Sequence, residues 1–490
     1  MLTAARRLRD AWFRSELKFF RDFSVLAGAQ VGSRVVGFLA FAFLARTLDP
    51  AGYGAVEYVV GVSLFFATLV ESGLGVVGVR RAAQRPDEIP ALAAQVVLAR
   101  LGFALVCAPL MVAVAAPALD TPASRGLVWL FALGLLPRAA RQDWLLQSVE
   151  RMNGAALAQL LQSAVFALVV VALVRDAADV QTVGWAELAA VLAMALYCAV
   201  VQHAHITPFR WRAPLAGLGG LAREGFVVGL GTSVWTASQY APLVLLAALG
   251  DPAQTAWFAA ASRIVGAVLA FSYVYHFNLY PAIARATAGD REQLAGLLAA
   301  SFRAVAWGST LIALVLTLLA APLASLAFGT RFAPSAPLLA VLAWLVPVSF
   351  LSGHARWSLI AAGRQSGALS VQVVGLVVVV GAGAPLVRLM GGAGAAVASL
   401  AGAVAVWVVA HVLAGLHGDR QPATSILVGP AALALAAVGG AALLGLAGWA
   451  SGLTALLFAL APIVDRRLGP DLRRLGHAKL EQPPASRSAG

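Results

Sequence analysis

Charged side chains are scarce within the long apolar stretches of this sequence, and most of those present are arginine. Arg34, Arg100, Arg138, Arg141, Arg263 and Arg356 fall inside such stretches, as do the acids Glu57, Glu71 and Asp143. At a bilayer centre an Arg or an acid costs about 2.5–3.5 kcal/mol on insertion scales, so each needs a protein, cavity or ligand partner. A set with more Arg than acid suits an anionic ligand, above all phosphate. The guanidinium offers bidentate donors and stays charged where water is scarce. Arg34, Arg263, Arg100 and Arg141 are therefore the candidate anion-binding residues, and Arg34 and Arg263 lead because both sit well inside their spans. Glu57, Glu71 and Asp143 are candidate coupling or pairing acids. The competing reading is fixed interhelical pairing, Arg34 with Glu57 or Glu71, and Arg138 or Arg141 with Asp143. Arg138 and Arg356 are also placed to snorkel to an interface.

Other chemistry is missing. The only lysines, Lys18 and Lys479, lie outside any Gly-rich phosphate-cradling loop, so neither ATP hydrolysis nor a cofactor is expected. His203 and His205 are spaced like a metal pair but have no third ligand nearby, which makes them interfacial histidines and leaves no expected metal site. Cys107 and Cys198 fall in apolar stretches as small buried thiols without a disulfide framework. The net charge of +13 does not indicate nucleic acid, because most basic residues sit at the ends of apolar segments rather than on a soluble basic face. No residue set for catalysis is evident, and a transporter rather than an enzyme is expected.

The elements that must carry these residues are membrane helices. The chain is 61% hydrophobic and 12% charged, with a mean hydropathy of +0.85, so lipid must be its main solvent. Apolar runs broken by short polar segments predict spans near 23–47, 52–79, 90–117, 123–148, 154–175, 181–203, 224–249, 253–281, 299–327, 334–361, 366–388, 391–414, 424–448 and 449–464. The expected fold is an all-α membrane protein of about fourteen transmembrane helices. It divides into a basic amphipathic arm (1–22), an N-terminal six-helix half (23–210), a C-terminal six-helix half (211–415), helices 13 and 14 (416–464) and a polar tail (465–490). With both termini cytoplasmic, about 24 Arg and Lys fall on the inner side and about 5 on the outer side, as the positive-inside rule requires.

The chain also resembles itself. At one offset Arg21 and Asp22 match Arg223 and Glu224, and Asp49, Pro50 and Ala51 match Asp251, Pro252 and Ala253. At a slightly larger offset Arg151, Gly154 and Gln159 match Arg364, Gly367 and Gln372. An even number of helices per half gives both halves the same orientation, a parallel repeat, and transporters built this way work by rocking around a site between them.

Seven stretches resemble one family: 44–58 (LARTLDPAGYGAVEY), 71–81 (ESGLGVVGVRR), 144–154 (WLLQSVERMNG), 256–263 (AWFAAASR), 328–339 (FGTRFAPSAPLL), 361–367 (AAGRQSG) and 391–399 (GGAGAAVAS). Their order and placement are similar to the polysaccharide flippases of the multidrug/oligosaccharidyl-lipid/polysaccharide exporter superfamily. The resemblance implies movement of a polyprenyl-diphosphate-linked oligosaccharide from the inner to the outer leaflet of a bacterial cytoplasmic membrane. It also implies a V-shaped cavity between helices 1–6 and 7–12, a lipid groove formed by helices 13 and 14, and cavity arginines that meet the diphosphate or acidic sugars. A glycan polymerase or glycosyltransferases would be the protein partners, with lipopolysaccharide or exopolysaccharide as the product. The rival within the superfamily is a cation-coupled drug or small-solute antiporter. One departure bears on coupling: many relatives carry an acid in helix 7, where this chain reads Ser238-Gln239-Tyr240-Ala241-Pro242.

Overall fold

The computed structural model describes residues 28–208, 215–288, 291–416 and 424–443, with 465, 467, 468, 470 and 471. The predicted basic arm, helix 14 and nearly all of the polar tail lie outside the described residues. The chain forms two units, Met1–Tyr240 and Ala241–Gly490. The first contains α1 (Gly28–Thr47), α2 (Pro50–Glu71), α3 (Leu74–Gln84), α4 (Ile89–Ala115), α5 (Pro122–Ala139), α6 (Asp143–Ser148), α7 (Met152–Leu173) and α8 (Val180–His205). Helix α9 (Leu218–Leu249) carries the chain into the second unit. That unit contains α10 (Pro252–Ala288), α11 (Arg291–Leu318), α12 (Ala320–Phe328), α13 (Ser335–Leu342), α14 (Leu345–Ala361), α15 (Gln365–Met390), α16 (Gly392–Leu416) and α17 (Val428–Leu443).

Ten helical stretches among the described residues are long and apolar enough to cross a membrane, which makes this a multi-pass membrane protein. The four further predicted spans have specific physical fates. The span over 123–148 breaks at Ala140–Gln142 into α5 and the short α6. The span over 224–249 is α9, whose apolar run is interrupted by Thr232, Ser233, Thr236, Ser238 and Gln239. The span over 424–448 is represented by α17, 16 residues long as described. The last, over 449–464, is outside the described residues.

Local sequence explains where helices begin and break. Asp49 accepts from the Gly52 amide at 2.9 Å with Pro50 at the first helical position, and Asp251 accepts from the Ala253 amide at 2.6 Å with Pro252 in the same place. Each carboxylate satisfies an amide that has no intrahelical partner, and each Pro occupies the position where its missing N–H costs nothing. The turns into α7 and α15 also share one geometry. Glu150 and Gly363 have φ of 56° and 72°. Arg151 and Arg364 follow at φ −89°, ψ 59° and φ −91°, ψ 59°. The Arg151 amide donates to the Leu146 carbonyl at 2.8 Å and the Arg364 amide to the Leu359 carbonyl at 2.9 Å.

Small residues set the close packings. Between α2 and α3, Ser72 and Gly73 take φ of 44° and 64°, and this break lies directly on the backbone of α9. A Cβ on Gly229 would sit 2.5 Å from the Ser72 carbonyl carbon, so only glycine permits the approach. In the second unit a Cβ on Gly402 of α16 would lie 2.2 Å from Val379 of α15. Opposite this contact Val397, Val404, Val408 and Val412 are exposed along one face of α16, an apolar stripe of the kind a membrane helix turns to lipid.

Candidate functional site

The breaks in α2–α3 and α5–α6 assemble charge in the first unit. Breaking a helix frees carbonyls that must find donors. Arg100, 3% exposed on α4, donates through Nη1 to the Arg141 carbonyl at 2.6 Å, and Gln142 Nε2 donates to the Ala93 carbonyl at 3.0 Å. Those two bonds pin the α5–α6 break to α4. Arg141 then lies 3.6 Å from a Glu71 carboxylate oxygen and 3.4 Å from one of Asp143. Gly75 and Gly78 let α3 lie against the buried Trp144 of α6. A Cβ on Gly75 would stand 3.3 Å from Arg100 Nη2, and one on Gly78 would stand 2.6 Å from the indole ring. Two arginines and two carboxylates therefore converge, and the group is balanced in charge.

The sequence-predicted residues fall into three sets. Arg100, Arg141, Glu71 and Asp143 come together, and the pairing of Arg141 with Asp143 is realised with Glu71 as a second acid. Arg138 pairs instead with Glu187 of α8, both mostly buried, an acid the sequence reading did not single out. Glu57, 6% exposed, accepts a hydrogen bond from Tyr53 one turn earlier at 2.6 Å. Arg34 is exposed on α1 and makes no ion pair with a described residue, so the suggested pairing with Glu57 or Glu71 is not formed. Arg263 is half-buried on α10. Arg356 is half-buried on α14, its Nε has no hydrogen-bond partner, and no described carboxylate pairs with it.

The second unit contains a cluster that the sequence reading missed. His276 of α10 and His354 of α14, 1% and 2% exposed, stand edge to face with ring centroids 5.2 Å apart. Tyr275 bonds the Ser301 hydroxyl of α11, and the His354 Nε2 lies 3.4 Å from the Tyr275 hydroxyl and 3.3 Å from that of Ser301. A signal was present: from Pro252 to Leu416 the only acids are Asp290 and Glu292, which leaves His276, His354 and His411 as the histidines of an almost acid-free region.

The sequence pattern of the polysaccharide biosynthesis protein family matches residues 19–287, more than half of the chain. Among solved structures the fold is similar to the lipid II flippase MurJ in an inward closed conformation. The TM-score is 0.71 at 10% sequence identity, covering 90% of this chain and 99% of that one. It is also similar to an inward-facing multidrug resistance MATE family transporter of the MOP superfamily, with TM-score 0.64, 15% identity, and 78% and 94% of the two chains covered. Such identities establish a shared fold. No curated protein sequence matches this one.

Proposed function

The chain belongs to the polysaccharide biosynthesis protein family, and on that premise we propose that it is a flippase for polyprenyl-diphosphate-linked oligosaccharide. Substrate moves from the inner to the outer leaflet of a bacterial cytoplasmic membrane, by alternating exposure of the site, with both termini cytoplasmic. One observation carries this reading: Arg34 and Arg356 lie in membrane helices without a described carboxylate partner, whereas Arg141 and Arg138 are matched by acids. A guanidinium left uncompensated in a span is costly unless an anion visits it. A diphosphate supplies that anion with oxygens spaced for bidentate hydrogen bonds. In this reading Arg34 meets the diphosphate, Arg263 is a further anion-binding residue as its place in the sequence suggests, and Arg100 and Arg141 hold the broken helices in shape around their own acids.

The superfamily alternative, a cation-coupled drug or small-solute antiporter, is favoured by the buried Glu57 in α2. The two readings separate in cells with and without the protein, when lipid-linked oligosaccharide is probed by an impermeant sugar-modifying reagent. The flippase reading expects the intermediate to be trapped on the inner leaflet when the protein is lost; an unchanged distribution overturns it.

A further inference from the structure

The arrangement around His276 assigns a place for one more proton. His276 Nδ1 lies 2.7 Å from the Ser272 carbonyl oxygen, which only accepts, so Nδ1 carries the hydrogen and donates it. Nε2 of the same ring is then a lone-pair acceptor, and it is buried without a partner. His354 is arranged differently. Its Nδ1 faces the Phe350 carbonyl at 3.3 Å, and its Nε2 accepts from one hydroxyl of the Tyr275–Ser301 pair, whose other hydrogen joins the two hydroxyls. One ring is satisfied at both nitrogens and its neighbour is satisfied at one. A buried basic nitrogen with nothing donating to it calls for an explanation in a native fold.

The surroundings hold the ring in this position. A Cβ on Gly353 would lie 2.1 Å from His276 Cε1 and Nε2, so the edge that carries the free nitrogen occupies the space a bare glycine leaves. Around the two rings α10 supplies Ser272 and Tyr275, α11 supplies Ser301 and Phe302, and α14 supplies Phe350 and Arg356. Arg356 is the charged group facing His276, and Arg303 of α11 is taken by Asp465 and Asp471. Of the other helices packed on α10 and α14, α12 and α13 carry no titratable side chain, α15 carries only Arg388 and α16 only His411.

We propose that His276 and His354 form a proton-binding site, loaded at His276 Nε2, whose occupancy couples transport to a proton gradient. The proposal rests on the transport reading above. The proton comes from water on one side of the membrane and returns to water on the other, with no bond to carbon made or broken. In the arrangement seen here an added proton would have no counter-ion and a guanidinium nearby, so the loaded site favours a conformation in which water or an anion reaches the ring. A ligand with different affinity for two states shifts their populations, and here the ligand is the proton. Imidazole is the side chain whose ordinary titration lies in the physiological range, and no described carboxylate lies beside the two rings to do the same work.

The test uses the full chain in nanodiscs with isotope-labelled histidine, titrated by NMR from about pH 4 to about pH 9. A titrating signal that disappears in His276→Gln and shifts its midpoint in His354→Gln supports the site. Titration of His276 unchanged in His354→Gln, or none over the range, overturns it. In proteoliposomes loaded with polyprenyl-diphosphate oligosaccharide, one coupled proton should change the wild-type leaflet ratio by about tenfold per pH unit of gradient. His276→Gln should abolish that response while flipping without a gradient continues. Wild-type flipping that ignores the gradient overturns coupling and leaves the flippase reading intact. No flipping by the wild type under any gradient would sink the flippase reading, while the NMR titration still decides the proton site. Gly353→Ala, which displaces the ring without removing it, should move the His276 titration in a protein whose other histidine signals are unchanged.

Discussion

In the first unit Arg100 and Arg141 meet Glu71 and Asp143 at two helix breaks, and Arg138 meets Glu187 between α5 and α8. In the second unit Tyr275, His276, Ser301 and His354 are packed among aromatic rings with no described carboxylate beside them. The turns into α7 and α15, by contrast, have almost the same backbone angles in both. The two units thus share the geometry of one turn and differ in their buried chemistry. Guanidinium and carboxylate pairs keep their charges across the physiological range and fix structure. Imidazoles change charge there and suit a group that must load and unload.

The contrast is open to attack at several points. The largest effect is expected for Arg141→Ala, which leaves Glu71 and Asp143 without their shared cation. Arg141 is buried but its acids are half-buried, so solvent screening reduces the cost to about 2 kcal/mol, and the thermal midpoint of the purified protein should fall by a few degrees. An unchanged midpoint would mean that the cluster is not structural. Gly229→Ala comes next, at about 1–3 kcal/mol, because the new methyl meets the Ser72 backbone rather than a side chain that can turn away. For Arg138 and Glu187 a double-mutant cycle to Ala should give a coupling of about 1–2 kcal/mol, and additive single effects would show the pair to be incidental. The smallest effect should come from Arg85→Ala. Its bond to Glu88 at 2.9 Å is exposed, and stability should not measurably change.

The helices were legible because lipid demands long apolar runs and the polar breaks between them are short. The interruptions were not. The predicted spans run straight through Ser72–Gly73 and through Arg138, Arg141, Gln142 and Asp143, whose polarity reads as chemistry inside a span; what bends the chain at the two places is a left-handed backbone and a pair of side-chain bonds to carbonyls. Arg141 with Asp143 was legible as neighbours in sequence, whereas Glu187 was not an evident partner for Arg138 because 49 residues separate them. His276 and His354 were overlooked for the same reason. They stand 78 positions apart, each alone in an apolar helix, and only the packing of α10 on α14 brings their rings together. His203 and His205 drew attention because they are close in sequence.

Arginines of the membrane helices receive an anionic lipid-linked oligosaccharide in this account, and export by Arg34→Ala and Arg263→Ala tests it most directly. Each variant should accumulate in the membrane at the wild-type level and leave lipid-linked oligosaccharide trapped on the inner leaflet. Normal export by both would contradict the account.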